Sequence, residues 1–321
     1  MQIIRGIQNL TTSLKGCALT LGNFDGVHLG HQQLIARVVE VAKARQSLSV
    51  VVIFEPQPQE FFHPSHCPAR LSRLREKLSA FKAMRVDCVL ILRFNAVLAA
   101  LSAQGFVSEI LVKRLHVQHV IVGEDCRFGA HHRGDADFLI AQAVYHHFVA
   151  EKVPTLLIEA EGRSIRISST LLRQVLVAGD LRLAKKLLGH VYCLSGHVSC
   201  GAQRGRTLGF PTINIDLHRK KSPLLGIFAV QVKGLDDRFI EGVANIGYRP
   251  TVQRSTSHSL QPILEVHLFD FDEMIYGRFL RVEFIHKIRD EIKFSSMEAL
   301  KVQIGKDVEE AKRVLYSSRI G

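Results

Sequence analysis

Leu21-Gly-Asn-Phe-Asp-Gly-Val-His-Leu-Gly-His31 lies between two apolar runs of different period. Cys17 to Leu21 reads as a strand, and His31 to Arg45 reads as a helix with Leu34, Ile35, Val38, Val41 and Ala42 near helical spacing. A strand that turns directly into a helix places the helix's unpaired N–H groups and partial positive charge beyond the strand end, which suits phosphate. Gly22, Gly26 and Gly30 let the backbone turn sharply and approach a ligand closely. His28 and His31, separated by Leu-Gly, would both point ring N–H donors at an anion. The H-x-G-H spacing suits in-line attack on an α-phosphate with pyrophosphate leaving, a reaction that needs positioning and charge neutralisation more than a nucleophilic side chain. Two surface histidines beside a tight turn are the bland reading. The strand-to-helix setting and the three glycines favour the functional one.

The same alternation extends outward. Strands are predicted at Ser49–Phe54, Cys88–Leu92, His119–Val122 and Pro154–Ile158, with helices between them at Ser72–Met84, Ala103–Leu115 and Asp135–Tyr145. This order predicts a mostly parallel, doubly wound sheet whose ligands bind beyond the carboxyl ends of the strands. Short helices from Ser169 and Leu181 close the domain, and the boundary falls near Leu188–Val191, giving domains 1–188 and 189–321. Beyond it, Val191–Val198, Pro211–Ile215, Ile227–Val232, Phe239–Ile246, Pro262–Leu268 and Leu280–Ile285 alternate apolar and polar residues with no long helix between them. Six short strands with Gly- and Pro-marked turns predict a small antiparallel barrel. One helix ends the chain, with Ser295 and Glu298 as a capping box and Leu300, Ile304, Val308, Ala311 and Leu315 as its stripe.

Bulk properties exclude some classes. With 321 residues, 47% hydrophobic and 22% charged, the chain can bury two cores and carries no signature of disorder. The longest apolar stretch, Leu48 to Phe54, is far too short to span a bilayer, and no signal-peptide pattern opens the chain, so a cytoplasmic protein is expected. The six cysteines at 17, 67, 88, 126, 193 and 200 form no C-x-x-C pair, which supports neither a metal site nor a disulfide framework. The net charge of +12 favours anionic partners without choosing among nucleic acid, membrane and phosphorylated small molecules.

Other stretches could complete the phosphate site. In Arg163-Ser-Ile-Arg-Ile-Ser-Ser-Thr-Leu-Leu-Arg173, the hydroxyls of Ser168, Ser169 and Thr170 cluster at a helix start, where they can cap the helix or bind phosphate, and Arg166 and Arg173 flank them. Phe54-Glu-Pro-Gln-Pro58 and Val122-Gly-Glu-Asp-Cys-Arg-Phe-Gly129 follow two further strands and are either plain turns or ligand loops. In the second half, the run from Ser195 to Asn214 joins glycines, Gly196 among them, to Arg204 and Arg206. Thr212 and Asn214, two apart on one strand face, are oxygen donors suited to Mg²⁺. In Leu264-Glu-Val-His-Leu268 the apolar residues face one way and Glu265 the other, with His267. A carboxylate there is either an ordinary exposed glutamate or a general base for phosphoryl transfer.

The blocks GNFDGVHLGH, FEPQP, RISST, GRTLGFPTIN, GVANIGYRPTV and LEVHLFDF, then Tyr276-Gly277 and Ile288 to Phe294, resemble in order and along nearly the whole chain the bifunctional bacterial riboflavin kinase/FMN adenylyltransferase family, also called FAD synthetase. The resemblance implies a Rossmann-like nucleotidyltransferase followed by a six-stranded flavokinase barrel. It implies ATP and Mg²⁺, with riboflavin, FMN, FAD, ADP and pyrophosphate as the other small-molecule partners and neither nucleic acid nor membrane. By the same similarity, His28 and His31 would stabilise the ATP triphosphate with Asn23, Asp25, Ser169 and Thr170. Phe54, Pro56, Pro58 and Asp125 would face the flavin, and Arg289 a flavin or phosphate. Thr212 and Asn214 would hold Mg²⁺–nucleotide, and Glu265 would deprotonate the riboflavin 5′-hydroxyl. Cys126, Tyr248, Ile227-Phe228 and Ile213 depart from the usual pattern, and no proposed catalytic group is lost. Two alternatives remain at this level. One is another H-x-G-H adenylyltransferase, although the Lys-rich loop of class I aminoacyl-tRNA synthetases is missing from Ser168–Thr170. The other is a non-catalytic nucleic-acid- or flavin-binding protein that presents a stacking surface.

Overall fold

The computed structural model describes residues 1–10, 14, 16–160, 162–199, 209–235, 239–250 and 260–320. The chain forms two units, one of Met1–Pro68 with Ser72–Ser169, the other of Ala69–Leu71 with Thr170–Gly321.

The first unit is built on β1 (Gln2–Arg5), β2 (Ala18–Leu21), β3 (Ser49–Glu55), β4 (Cys88–Arg93), β5 (His119–Gly123) and β6 (Val149–Val153), all parallel, in the order β1-β4-β3-β2-β5-β6. Strand alternation sorts the apolar residues onto two faces. Leu19, Leu21, Val50, Val52, Leu90 and Val122 join a core with Phe106, Leu111 and Leu139. Ala18, Val51, Ile53, Val89 and Ile121 join another with Ile35 and Val38 of α1 (Leu29–Ala44) and Phe81 of α2 (Leu74–Ala83). The chain runs from β2 outward to β3 and β4, then returns to β5 on the other side of β2. The end of β2 is therefore the switch point of the sheet, where open α/β sheets leave a crevice.

Three elements differ from the sequence expectation. The expected helix at 103–115 forms as a short turn followed by a π-helix over Phe106–Arg114, with Phe106, Val107 and Leu111 buried. The last strand of the sheet is β6, ahead of the expected Pro154–Ile158. Leu157–Ala160 instead pairs antiparallel with Arg163–Arg166 as a separate hairpin. As an edge strand, β6 needs no continuous apolar run, and its Glu151 and Lys152 are taken up by Arg37 and Asp137. The edge strand β1 buries Ile4 alone and has no readable period.

In the second unit, β7 (Cys193–Ser199), β8 (Ile213–Asp216), β9 (Gly226–Lys233), β10 (Ile240–Pro250), β11 (Leu260–Leu268) and β12 (Phe279–Arg289) close an antiparallel barrel in the order β7-β8-β11-β10-β9-β12. Leu194, Phe228, Val230, Ile246, Leu264, Val266, Leu280, Val282 and Phe284 are fully buried within it. After α3 (Ala136–His146), the described residues form α4 (Ser169–Ala178), α5 (Leu181–Leu188) and α6 (Met297–Ile320). The expected stripe of α6 packs Val308, Ala311 and Leu315 with Ile227, Ala229, Val243 and Phe269 of the barrel. The helix is capped by Ser296, whose Oγ accepts the Ala299 N–H at 3.1 Å, in place of the expected Ser295.

Candidate functional site

The turn after β2 stands at the switch point. Phe24, Gly26 and Val27 all take positive φ, so the chain folds tightly before α1 begins. His28 caps α1 through Nδ1, which accepts the His31 N–H at 3.3 Å. A neutral His28 therefore carries its proton on Nε2, leaving one ring donor for a ligand. The two imidazoles stack with centroids 3.6 Å apart and planes 15° from parallel. Phe24 meets His31 edge-on, and His31 Nδ1 is buried with no hydrogen-bond partner among the described residues. Burial pushes His28 down to about 4 against the opposing pull of Asp125 and Asp25. Burial, then the charges of His28 and Lys77, hold His31 well below the ordinary imidazole range. At neutral pH the pair is uncharged, and an arriving phosphate chain would draw protons onto it.

The rest of the turn is pinned from below. The buried Asp25 carboxylate accepts the Ser72 N–H at 3.0 Å, and Ser72 Oγ accepts the Gly26 N–H at 2.9 Å. Ser169 Oγ donates to the Asp25 carbonyl at 2.9 Å, so this start-of-helix hydroxyl reaches the histidine turn. Lys77 is fully buried, and its Nζ lies 3.2 Å from both the Asn23 carbonyl and Glu55 Oε1. It thereby joins the histidine turn to the end of β3. Lys77 was not foreseen, although a lysine on the stripe shared with Leu74 and Phe81 was the available signal. A Cβ at Gly22 would crowd the Phe24 ring at 3.3 Å, while one at Gly30 would only touch His28.

The remaining residues expected around this turn fall as follows. Phe54, next to last in β3, meets Phe94 edge-on, with Phe61 and Phe62 completing an aromatic group that is partly exposed. Pro56 follows β3, and Pro58 opens a short helix capped by Gln57 and Glu60. Asp125 and Arg166 pair with each other at 2.6 Å on the surface. In the second unit, Thr170 lies in the first turn of α4 and Arg173 Nε donates to the Ala69 carbonyl at 2.7 Å.

On the barrel, Leu264, Val266 and Leu268 point inward and Glu265 outward, as the alternation required. Asn214 of β8 lies directly opposite Glu265 of β11, and Asn245 of β10 opposite Glu265 on its other side. A cavity of about 350 Å³ opens over this row, lined by Thr212, Asn245, Glu265, Arg289, Glu291 and Phe294, and a second of about 180 Å³ shares Thr212. Arg289 grips the buried Asp307 of α6 through two contacts, 2.9 and 2.6 Å, and stacks on Phe294. Glu291 is raised above the ordinary carboxylate range by burial, with a hydrogen bond from Asn245 opposing the shift. Neither Asn245 nor Glu291 stood out in the sequence by itself. At Gly196 a Cβ would overlap the Asp216 carbonyl, which accounts for glycine there independently of any ligand. Arg204 and Arg206 lie outside the described residues.

A switch-point turn bearing paired imidazoles, joined to a closed barrel with a carboxylate facing a cavity, defines a nucleotidyltransferase fused to a flavokinase-type domain. Residues 10–171 match the FAD synthetase family and residues 188–315 the riboflavin kinase family. The chain is 45% identical over 317 residues to the bifunctional riboflavin kinase/FMN adenylyltransferase of Haemophilus influenzae, covering 99% of this chain and 100% of that one. It is 46% identical to the enzyme of the same name from Escherichia coli K12, covering 96% of each, and 46% identical to that of Pseudomonas fluorescens, covering 99% of each. Among solved structures it superposes on a Streptococcus pneumoniae chain described as a macrolide-efflux protein, with a TM-score of 0.80, 29% identity and 98% of this chain covered (99% of that one).

This chain belongs to the bifunctional riboflavin kinase/FMN adenylyltransferase family. It phosphorylates riboflavin to FMN and adenylylates FMN to FAD, with ATP as co-substrate of both reactions.

Proposed function

We propose that each reaction has its own site, adenylyl transfer at the turn after β2 and phosphoryl transfer on the outer face of the barrel. The observation that carries the kinase assignment is that Thr212 and Glu265 line one cavity, with Asn214 paired across the strands to Glu265. Glu265 takes the proton of the riboflavin 5′-hydroxyl as that oxygen attacks the γ-phosphorus of ATP, and ADP leaves. The Thr212 hydroxyl and Asn214 amide oxygen are neutral, hard donors, and no cluster of three or more His, Cys, Asp or Glu able to hold a metal exists among the described residues. That donor set fits Mg²⁺ brought in with a nucleotide, the rest of its shell being phosphate and water. When bound, the ion supplies neutralisation of phosphate charge.

At the turn, the FMN phosphate attacks the α-phosphorus of ATP, and His28 and His31 donate to the developing charge as pyrophosphate leaves. Backbone N–H groups at the start of α1, together with Ser169, Thr170, Arg166 and Arg173, serve the phosphate chain. Phe54, Pro56, Pro58 and Asp125 serve the flavin, with exposed Phe61 and Phe62 as further stacking surface. The domain division 1–188 and 189–321, and a cytoplasmic location, are part of the same reading. No helix among the described residues is long and apolar enough to cross a membrane.

The test is product chromatography. His31→Ala abolishes FAD formation from FMN while riboflavin still yields FMN. Glu265→Gln abolishes FMN formation while supplied FMN still yields FAD. If either change stopped both reactions in folded protein, the two-site reading would be wrong.

A further inference from the structure

Asn245 of β10 stands directly opposite Glu265 of β11, on the same barrel face and at the same cavity. Antiparallel partners of this kind hold their Cβ atoms about 4.5–5.5 Å apart. The reaction as described makes no use of Asn245, yet its amide is bonded at one end only. Its NH₂ donates to the Glu291 carboxylate, and its Oδ1 is buried with no hydrogen-bond partner among the described residues. The Glu291 carboxylate lies over Gly247, in the space a Cβ there would take. With the NH₂ turned to Glu291, Oδ1 is the end of the Asn245 amide left for a ligand. A buried acceptor without a donor is costly, so a ligand that brings a hydroxyl to it binds better than one that does not.

We propose that Asn245 is a specificity residue of the kinase site whose Oδ1 accepts a hydrogen bond from a ribityl hydroxyl of riboflavin other than the 5′-hydroxyl, with Glu291 orienting the amide. The location rests on the reading of Glu265 as the base for the 5′-hydroxyl. From there, a residue about 5 Å away along the strand ladder falls beside the chain carbons next to the reacting end. The flavin ring offers that region no comparable donor, because its single N–H lies at the far side of the ring system from the chain.

The experiment compares riboflavin with a flavin whose N10 substituent is a 5-hydroxypentyl chain, which keeps the reacting hydroxyl and lacks the other three. Wild-type enzyme is expected to phosphorylate the analogue with kcat/KM at least tenfold below riboflavin. In Asn245→Leu the value for riboflavin falls tenfold or more and that for the analogue changes little, so the two converge. Asn245→Ser shows the same convergence to a smaller degree and serves if the leucine variant does not fold, with FAD formation from supplied FMN reporting folding in each preparation. Equal losses for both substrates in the variants, or no discrimination by the wild type, overturn the proposal. Failure of the Glu265 reading has a separate signature, FMN formation by Glu265→Gln, and the convergence at Asn245 is scored independently of it.

Discussion

His28 and Lys77 are two basic residues held in opposite ways. His28 is kept neutral by burial, with its value brought down to about 4 from the ordinary 6.5. Between those values the unfolded chain binds a proton that the folded chain refuses, so folding stability rises with pH across that window and is complete above about 6.5. Melting temperature measured from pH 4.5 to 7.5 should therefore climb in the wild type, and the climb should be shallower in His28→Asn, which keeps a capping oxygen without a titrating ring. Lys77 is fully buried against Glu55 and the Asn23 carbonyl. Removing Lys77 takes one partner from the partly exposed Glu55, so the cost stays below the roughly 3–5 kcal/mol of a fully buried pair. Lys77→Met should lower the melting temperature markedly and impair FAD formation more than FMN formation, and adding Glu55→Gln should restore part of the stability. A double variant no more stable than Lys77→Met would show that the pair is not the source of the loss. The histidines were legible in the sequence because their spacing is local. Lys77 was not, since its partners at Asn23 and Glu55 come from two other strand ends.

Elements were legible where an apolar period runs unbroken. The central strands β2 to β5 are buried on both faces and read as continuous Val, Ile and Leu, whereas β1 and β6 at the sheet edges bury little and passed unseen. The barrel strands are visible through alternation, and that alternation alone places Glu265 on the outward face. Helix ends were less certain. The motif Ser295-x-x-Glu298 satisfies the capping pattern, but Ser296 makes the bond. Two adjacent serines differ here by a shift of one residue, which sequence alone does not resolve. The two are separable by experiment. Ser296→Ala should cost about 1 kcal/mol of barrel stability in chemical denaturation, while Ser295→Ala should cost much less. The reverse order would place the cap at Ser295 after all. Because Asp307 on the same helix holds Arg289 at the cavity rim, a frayed start to α6 should also raise KM for riboflavin.

On the scale of the whole chain, the barrel unit is not one continuous piece of sequence. Ala69–Leu71 belong to it although nearly a hundred residues intervene before Thr170. This short segment supplies backbone acceptors to two barrel-unit side chains. The buried Arg219 donates through Nη1 to the Arg70 carbonyl at 2.6 Å and to the Leu71 carbonyl at 3.3 Å, and Tyr192 Oη donates to the Leu71 carbonyl at 3.0 Å. A fragment spanning residues 170–321 keeps every barrel strand and helix α5 but lacks those carbonyls, and a buried guanidinium that loses two acceptors is less favourable. The fragment should therefore be less stable than the same unit in the full chain. The contribution of Arg219 should depend on context, so that Arg219→Met destabilises the full chain more than the fragment. Denaturant titration of the four proteins, with FMN formation as the folding readout, decides the point. If Arg219→Met destabilises both by the same amount, the arginine acts through its packing, and the 69–71 segment is dispensable to the barrel.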